Sequence, residues 1–413
     1  MLCSRRAPAR RLGHMLAPTR VAVVGGGVSA CALAYGLREE IQANRISLNL
    51  FEMGRAPGGR AATRGTRGRP DLVVNHGAPA FEARSPQFKR MCEHLLEADA
   101  LTKISPDKIG TFGTDGTFEP EAPGAPTRYV ARSGSMSALC HALLGATPSV
   151  STAFGAMVRT VEPMEEGGWR LTSKQGDALG EFDWLVVSSS TVAHPRWRGV
   201  FGGEPPMADA AAALGDASLT AALERLAQLR SLPVTAYLMA FEGEAAEAWA
   251  RLPCSKATVS SDDTLDAVVV QRLRPGLTAV VLHSTHAFSE HAAAGVFGAT
   301  SSAALVGGAK AEEAREQELL DQIIAAAERR LSPRWLAPEH MRAATWGPHL
   351  HRWGSAFPAA PLLPVADSFV PSARVAFCGD YVESAHPGSV EGAVLSGLAT
   401  ARALIALSPR PML

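Results

Sequence analysis

Val21-Ala22-Val23-Val24-Gly25-Gly26-Gly27-Val28-Ser29-Ala30 is the stretch that decides the fold. Its four leading apolar residues suit a buried parallel strand. The glycines after them let the chain turn tightly, so that a helix starting near Val28 aims its N-terminus at a pyrophosphate. Ala30 stands where the strict pattern has a third glycine, an exchange the fingerprint allows. A second apolar run, Ile46 to Phe51, ends on Glu52, about 20 residues beyond the turn, where an acidic side chain would hold a ribose hydroxyl. Strand, turn, helix and acid in register predict an α/β chain opening on a Rossmann-type dinucleotide-binding unit. Gly25, Gly27, Ala30 and Glu52 are its cofactor-binding candidates, and a glycine-rich turn that binds nothing is the bland alternative. The fingerprint alone does not separate NAD from FAD.

Further segments narrow the choice. Arg55-Ala-Pro-Gly58-Gly59-Arg60 follows the acidic strand end, and Asn75-His76-Gly77-Ala78 comes after it. Near the far end, Arg374 to Cys378 reads as another buried strand, followed by Gly379-Asp380. Gly388-Ser389-Val390-Glu391-Gly392-Ala393 then opens a helix running to about Leu407. In these segments the chain resembles the flavin amine oxidase superfamily, and within it the renalase-like branch. The resemblance implies FAD. It places Gly59 and Arg60 against the FAD phosphates, Gly77 and Ala78 beside the flavin ring, and Asp380 on the ribityl chain or a phosphate. Glu391, Gly392 and Ala393 fall at the helix start that faces the pyrimidine end of the ring. The chain departs from the pattern at Asn75, Pro79 and Ala80. Ser389 stands where amine oxidases of this pattern keep a tyrosine of the aromatic cage.

The resemblance thins in the middle. Tyr129-Val-Ala-Arg-Ser-Gly134-Ser-Met136 and His351-Arg352-Trp353-Gly-Ser-Ala356-Phe-Pro358 are similar to renalase-like segments, and Leu282 to Ser289 is a weaker match. Trp353 would wall the space over the flavin, and Arg352 would bind a substrate phosphate or carboxylate. His386 completes the expected substrate pocket, and His286 is a weaker candidate. Core tryptophan, ion-paired arginine and satisfied histidine are the ordinary readings of these residues.

The 413 residues are 46% hydrophobic and 19% charged, enough for two domains and a large core. Lys+Arg and Asp+Glu both number 40, so no global field recruits nucleic acid or an anionic membrane. A discontinuous FAD-binding domain is expected from 21–81, 150–190 and 365–407, with strands at Gly155–Val161, Gly168–Ser173 and Asp183–Val187. A discontinuous α+β substrate domain takes 82–149 and 191–364, its clearest helix at Glu312–Leu331. Ala292–Ala309, uncharged but rich in glycine and serine, reads as a loop rather than a membrane span.

Six scattered cysteines form no Cys-x-x-Cys pair, which argues against a metal or redox motif, and none lies within Gly379–Ser389, so covalent flavin has no obvious anchor. Residues 1–20 carry five arginines, and no acid precedes Glu39. That stretch resembles a plastid or mitochondrial transit peptide, with a disordered tail or a start at Met15 as the alternative. A soluble intracellular protein is expected, its oligomeric state open.

Hydride transfer to a flavin needs no side-chain nucleophile, so no catalytic residue is assigned. The expectation is a non-covalent FAD oxidoreductase, renalase-like. It would accept a hydride from a dihydronicotinamide-type small-molecule substrate, with a dinucleotide as one candidate, and be reoxidised by dioxygen. An amine oxidase, a pigment- or tetrapyrrole-pathway oxidoreductase, and a flavin- or nucleotide-binding protein without turnover are the alternatives.

Overall fold

The computed structural model describes residues 17–298 and 312–407. Most of the arginine-rich start and residues 299–309 of the expected loop therefore lie outside the described residues.

A six-stranded sheet holds the dinucleotide-binding unit. Its strand order is Ser151–Phe154, Ile46–Glu52, Thr19–Val24, Trp184–Val187, Val375–Phe377 and Phe369–Val370. All pairings but the last are parallel. Strand alternation divides its side chains between two cores. Val21, Val23, Leu48 and Val186 pack under the helix Val28–Gly36 and the C-terminal helix Val390–Leu407. Ala22, Val24, Leu185 and Phe377 meet a three-stranded meander and the helices between Trp197 and Ala227 on the other face.

The meander is Val158–Pro163, Trp169–Ser173 and Ala178–Phe182. The strand expected over Gly155–Val161 is in fact broken at Gly155, whose φ of +71° turns the chain between Phe154 and Val158. Residues 191–229, expected in the substrate piece, instead contribute Val192, Trp197, Met207, Leu219 and Leu226 to the core under the parallel sheet. That short helical segment finds its apolar partners on the near side.

A seven-stranded, largely antiparallel sheet forms the second unit. Trp346–Ala359 is its edge, next to Arg230–Glu242, Leu277–Ser284 and Leu265–Arg274. One face packs against the helices Gly243–Ala250 and Glu313–Leu331 through Phe241, Val268, Val280, Ile323 and Ala327. The opposite face, with Ala236, Leu238 and Val281, receives Leu72 and Val74 of the strand Arg69–Asn75. That docking delivers His76 and Gly77 to the space between the two sheets.

The helix Val390–Leu407 is long and apolar enough to cross a membrane by length and composition. Its composition has a packing explanation. A Cβ on Gly397 would come within 2.2 Å of the Ser29 carbonyl, and one on Gly36 within 2.7 Å of the Ala401 Cβ. The two helices pack backbone against backbone, so their shared face carries small, apolar residues.

Candidate active site

Between the sheets lies a cavity of about 2370 Å³. A single small-molecule pocket usually has roughly 300–1,000 Å³, so this space accommodates a dinucleotide and a second molecule. It runs from the Gly25–Ser29 turn to Lys256, Asp266 and Trp353.

At the turn, Gly25 and Gly27 line the cavity, and a Cβ placed on Gly27 would meet nothing within 4 Å. The helix N-terminus behind it therefore faces open space. Ala30 is fully buried on the sheet side and supports helix-to-strand packing rather than reaching the cavity. The Glu52 carboxylate accepts from the Gly26 and Gly54 amides, both at 2.6 Å. Burial nevertheless pushes its pKa up, against the effect of those two amides.

Arg60 and Asp380, from opposite ends of the chain, form a two-pronged ion pair. Arg60 Nη1 donates to Asp380 Oδ2 at 2.6 Å and to the Ala356 carbonyl at 2.9 Å, and Nη2 donates to Asp380 Oδ1. Burial works against the Arg60 charge, but the Asp380 carboxylate more than offsets it and holds the guanidinium above its ordinary range. Gly59 lies beside this pair on the cavity wall. The Ala78 amide donates to the Arg60 carbonyl at 2.9 Å. A Cβ on Gly77 would come within 2.0 Å of that same oxygen. The Gly59-Arg60 and Gly77-Ala78 segments are thus stitched together.

His76 stacks on Trp353 with ring centroids 5.1 Å apart, and Trp353 Nε1 donates to the His76 carbonyl at 3.0 Å. His351 packs against both rings. Burial lowers His76 and His283 to about 4, and puts His351 well below the usual histidine range. The three aromatic side chains are therefore neutral at neutral pH, and the nearby Arg64 guanidinium adds to the lowering of His76 and His351. His76 Nδ1 and His283 Nε2 are buried without hydrogen-bond partners.

Glu391 lines the cavity at the start of the last helix. The Glu391 carboxylate accepts from the Arg84 and Ser85 amides at 2.8 and 2.7 Å, tying the last helix to the start of Pro86–Glu97. Gly392 is off the cavity, its Cβ position 2.2 Å from the His386 carbonyl. Ala393 and His386 line the cavity, and His386 Nε2 lies 3.8 Å from Glu391. Ser389 Oγ donates to the His386 carbonyl at 2.6 Å and accepts from the Gly392 amide at 3.0 Å. His286 is bonded to the Pro233 carbonyl at 2.9 Å, a structural contact.

Arg352 lines the cavity, with Nη2 3.3 Å from the Ser289 carbonyl. Three other wall residues, Arg196, Lys256 and Asp266, have no signal in the sequence, while His283 falls in the weakly matching Leu282–Ser289 segment without a role assigned to it. None sits in a recognisable spacing, and only the antiparallel sheet and the chain after Ser188–Ser190 bring them in. Burial lowers the Lys256 pKa and raises that of Asp266.

Two family models match the sequence. The NAD(P)-binding Rossmann-like domain covers residues 23–95, and the flavin containing amine oxidoreductase covers 121–405. Among solved structures the fold is similar to that of putrescine oxidase bound to putrescine, with a TM-score of 0.58 and 13% identity over 94% of this chain and 99% of that one. It is also similar to the tetracycline destructase Tet(51), with a TM-score of 0.52 and 13% identity over 94% and 82% of the two chains. For Tet(55) the values are 0.55 and 12% over 96% and 83%. No curated protein matches the sequence significantly.

The Rossmann unit, its glycine turn opening onto a cavity walled by a second, largely antiparallel sheet, and the flavin family model together make the chain an FAD-dependent oxidoreductase. More narrowly, the chain belongs to the flavin containing amine oxidoreductase family, whose model spans well over half of it. The residues present fit the cofactor. The open face at Gly27 leaves room for phosphates at a helix N-terminus, and the cavity continues past Glu52 to the neutral His76–Trp353 wall.

Proposed function

We propose that this enzyme is renalase-like, taking a hydride from a dihydronicotinamide-type donor and passing two electrons to dioxygen. The observation that carries the reading is the uncharged imidazole and indole wall at His76, His351 and Trp353. A flat, neutral dihydronicotinamide can stack beside such a wall. The amine alternative is weakened at Ser389, whose hydroxyl caps the last helix instead of supplying a cage aromatic.

In this reading Gly25, Gly27 and the following helix start hold the FAD phosphates, and Glu52 takes a ribose hydroxyl. Gly59, Arg60 and Asp380 fix the middle of the cofactor. Gly77, Ala78 and Ala393 border the ring, while Ala30, Glu391 and Gly392 act indirectly by setting the helix positions. Bound there, FAD supplies a two-electron acceptor that dioxygen can regenerate. The protein's own residues orient the donor and shield it from water. Arg352 and Trp353 meet the donor, and His386 lies at the rim. Attachment is non-covalent in this account, because none of the five described cysteines lines the cavity.

The balance is one donor, one proton and one dioxygen giving one oxidised nicotinamide and one hydrogen peroxide. Aerobic turnover with isomeric dihydronicotinamide dinucleotides should yield peroxide and oxidised dinucleotide in a one-to-one ratio. Consumption of the donor without peroxide would remove dioxygen as the acceptor.

A further inference from the structure

Arg196 and Arg352 stand out on the cavity wall. Each carries a buried guanidinium nitrogen with no hydrogen-bond partner, Nη2 in Arg196 and Nε in Arg352. Neither forms an ion pair among the described residues. The carboxylates that could have served them are otherwise placed: Asp380 is bonded to Arg60, and Glu290 only partly offsets the desolvation of Arg352. Burial lowers the Arg196 pKa, and the like charges of Arg60 and Arg352 lower it further. A desolvated cation surrounded by other cations is costly to keep in a folded chain. An arginine pair of this kind is suited to an oxyanion, since two planar guanidinium forks match phosphate oxygens in geometry and charge.

We propose that Arg196 and Arg352 form an anion subsite for a phosphate or pyrophosphate group of the oxidisable substrate. The inference rests on the reading above of a dinucleotide-sized donor, and it narrows that donor to one bearing phosphate. Arg196 enters the site from the loop after Ser190, Arg352 from the edge strand Trp346–Ala359, so the subsite bridges the two units of the fold. The source of the anion is the substrate and not the cofactor, whose pyrophosphate belongs at the Gly25–Ser29 turn.

The test uses FAD-loaded protein and inorganic pyrophosphate as probe, followed by calorimetry in the absence of any donor. The wild type should bind one pyrophosphate per chain. Arg196→Gln and Arg352→Gln should each weaken binding at least tenfold while FAD occupancy stays at the wild-type level, and Arg196→Lys and Arg352→Lys should fall in between. Unchanged affinity in the glutamine variants overturns the subsite. So does loss of FAD from Arg196→Gln, which would assign the pair to the cofactor's own pyrophosphate. If a glutamine variant does not fold, the lysine variant decides by the same readings. Because no turnover is measured, pyrophosphate binding can stand even where dihydronicotinamide donors prove inactive, and can fail where they react.

Discussion

Arg60 and Asp380 are 320 positions apart in sequence yet share a two-pronged ion pair, and Asp380 is almost fully buried. Replacing Asp380 with Ala removes a charged hydrogen-bonding partner and leaves Arg60 without its carboxylate. FAD retention should weaken by about 1.5–3 kcal/mol if one charge-assisted hydrogen bond to the cofactor is lost. The melting temperature of the FAD-free protein should drop as well. Equilibrium dialysis and a thermal melt check the two effects, and unchanged flavin occupancy would reject the role. The imidazoles give a pH signature. Burial holds His76 and His283 at about 4 against an ordinary 6.5. A base whose pKa falls on folding is neutral in the folded chain and binds a proton on unfolding. Its stabilisation is complete above pH 6.5 and is lost as the pH falls toward 4, below which both states are protonated. Thermal midpoints should therefore decline between pH 6.5 and 4, and a His76→Gln, His283→Gln double variant should show a shallower decline.

At the scale of elements, the helix pair Val28–Gly36 and Val390–Leu407 fixes where the glycine turn points. Gly397→Ala would push a methyl group to within 2.2 Å of the Ser29 carbonyl, an overpacking that costs roughly 1–3 kcal/mol. The expected result is a lower melting temperature together with reduced FAD content, since the glycine turn runs directly into the helix Val28–Gly36. Normal flavin content in a destabilised variant would show that the crossing supports stability alone. These terminal elements were legible from sequence because their signals are local: an apolar run, a turn of glycines, an apolar helix. The third middle strand, expected over Asp183–Val187, lies at Trp184–Val187 for the same reason. The site's far wall was not legible. Lys256, Asp266 and His283 reach it only through the pairing of Lys256–Val259, Leu265–Arg274 and Leu277–Ser284. Glu391 was read at the right place in the helix, but its bonds to Arg84 and Ser85 depend on a segment more than 300 residues earlier.

For the whole molecule, zero net charge conceals a strongly local distribution. Arg196 and Arg352 line the cavity near neutral imidazoles and an indole, with no ion pair among the described residues, and in the proposed reading their charge disfavours a cationic amine. The same wall suits a neutral dihydropyridine carrying phosphates. The most direct measurement is anaerobic stopped-flow reduction of the FAD-loaded enzyme at equal donor concentrations. Isomeric dihydronicotinamide dinucleotides should bleach the flavin faster than ordinary NAD(P)H, and faster than benzylamine or a polyamine. Bleaching by the amines while the dinucleotides leave the flavin yellow would contradict the account and return the enzyme to amine oxidation.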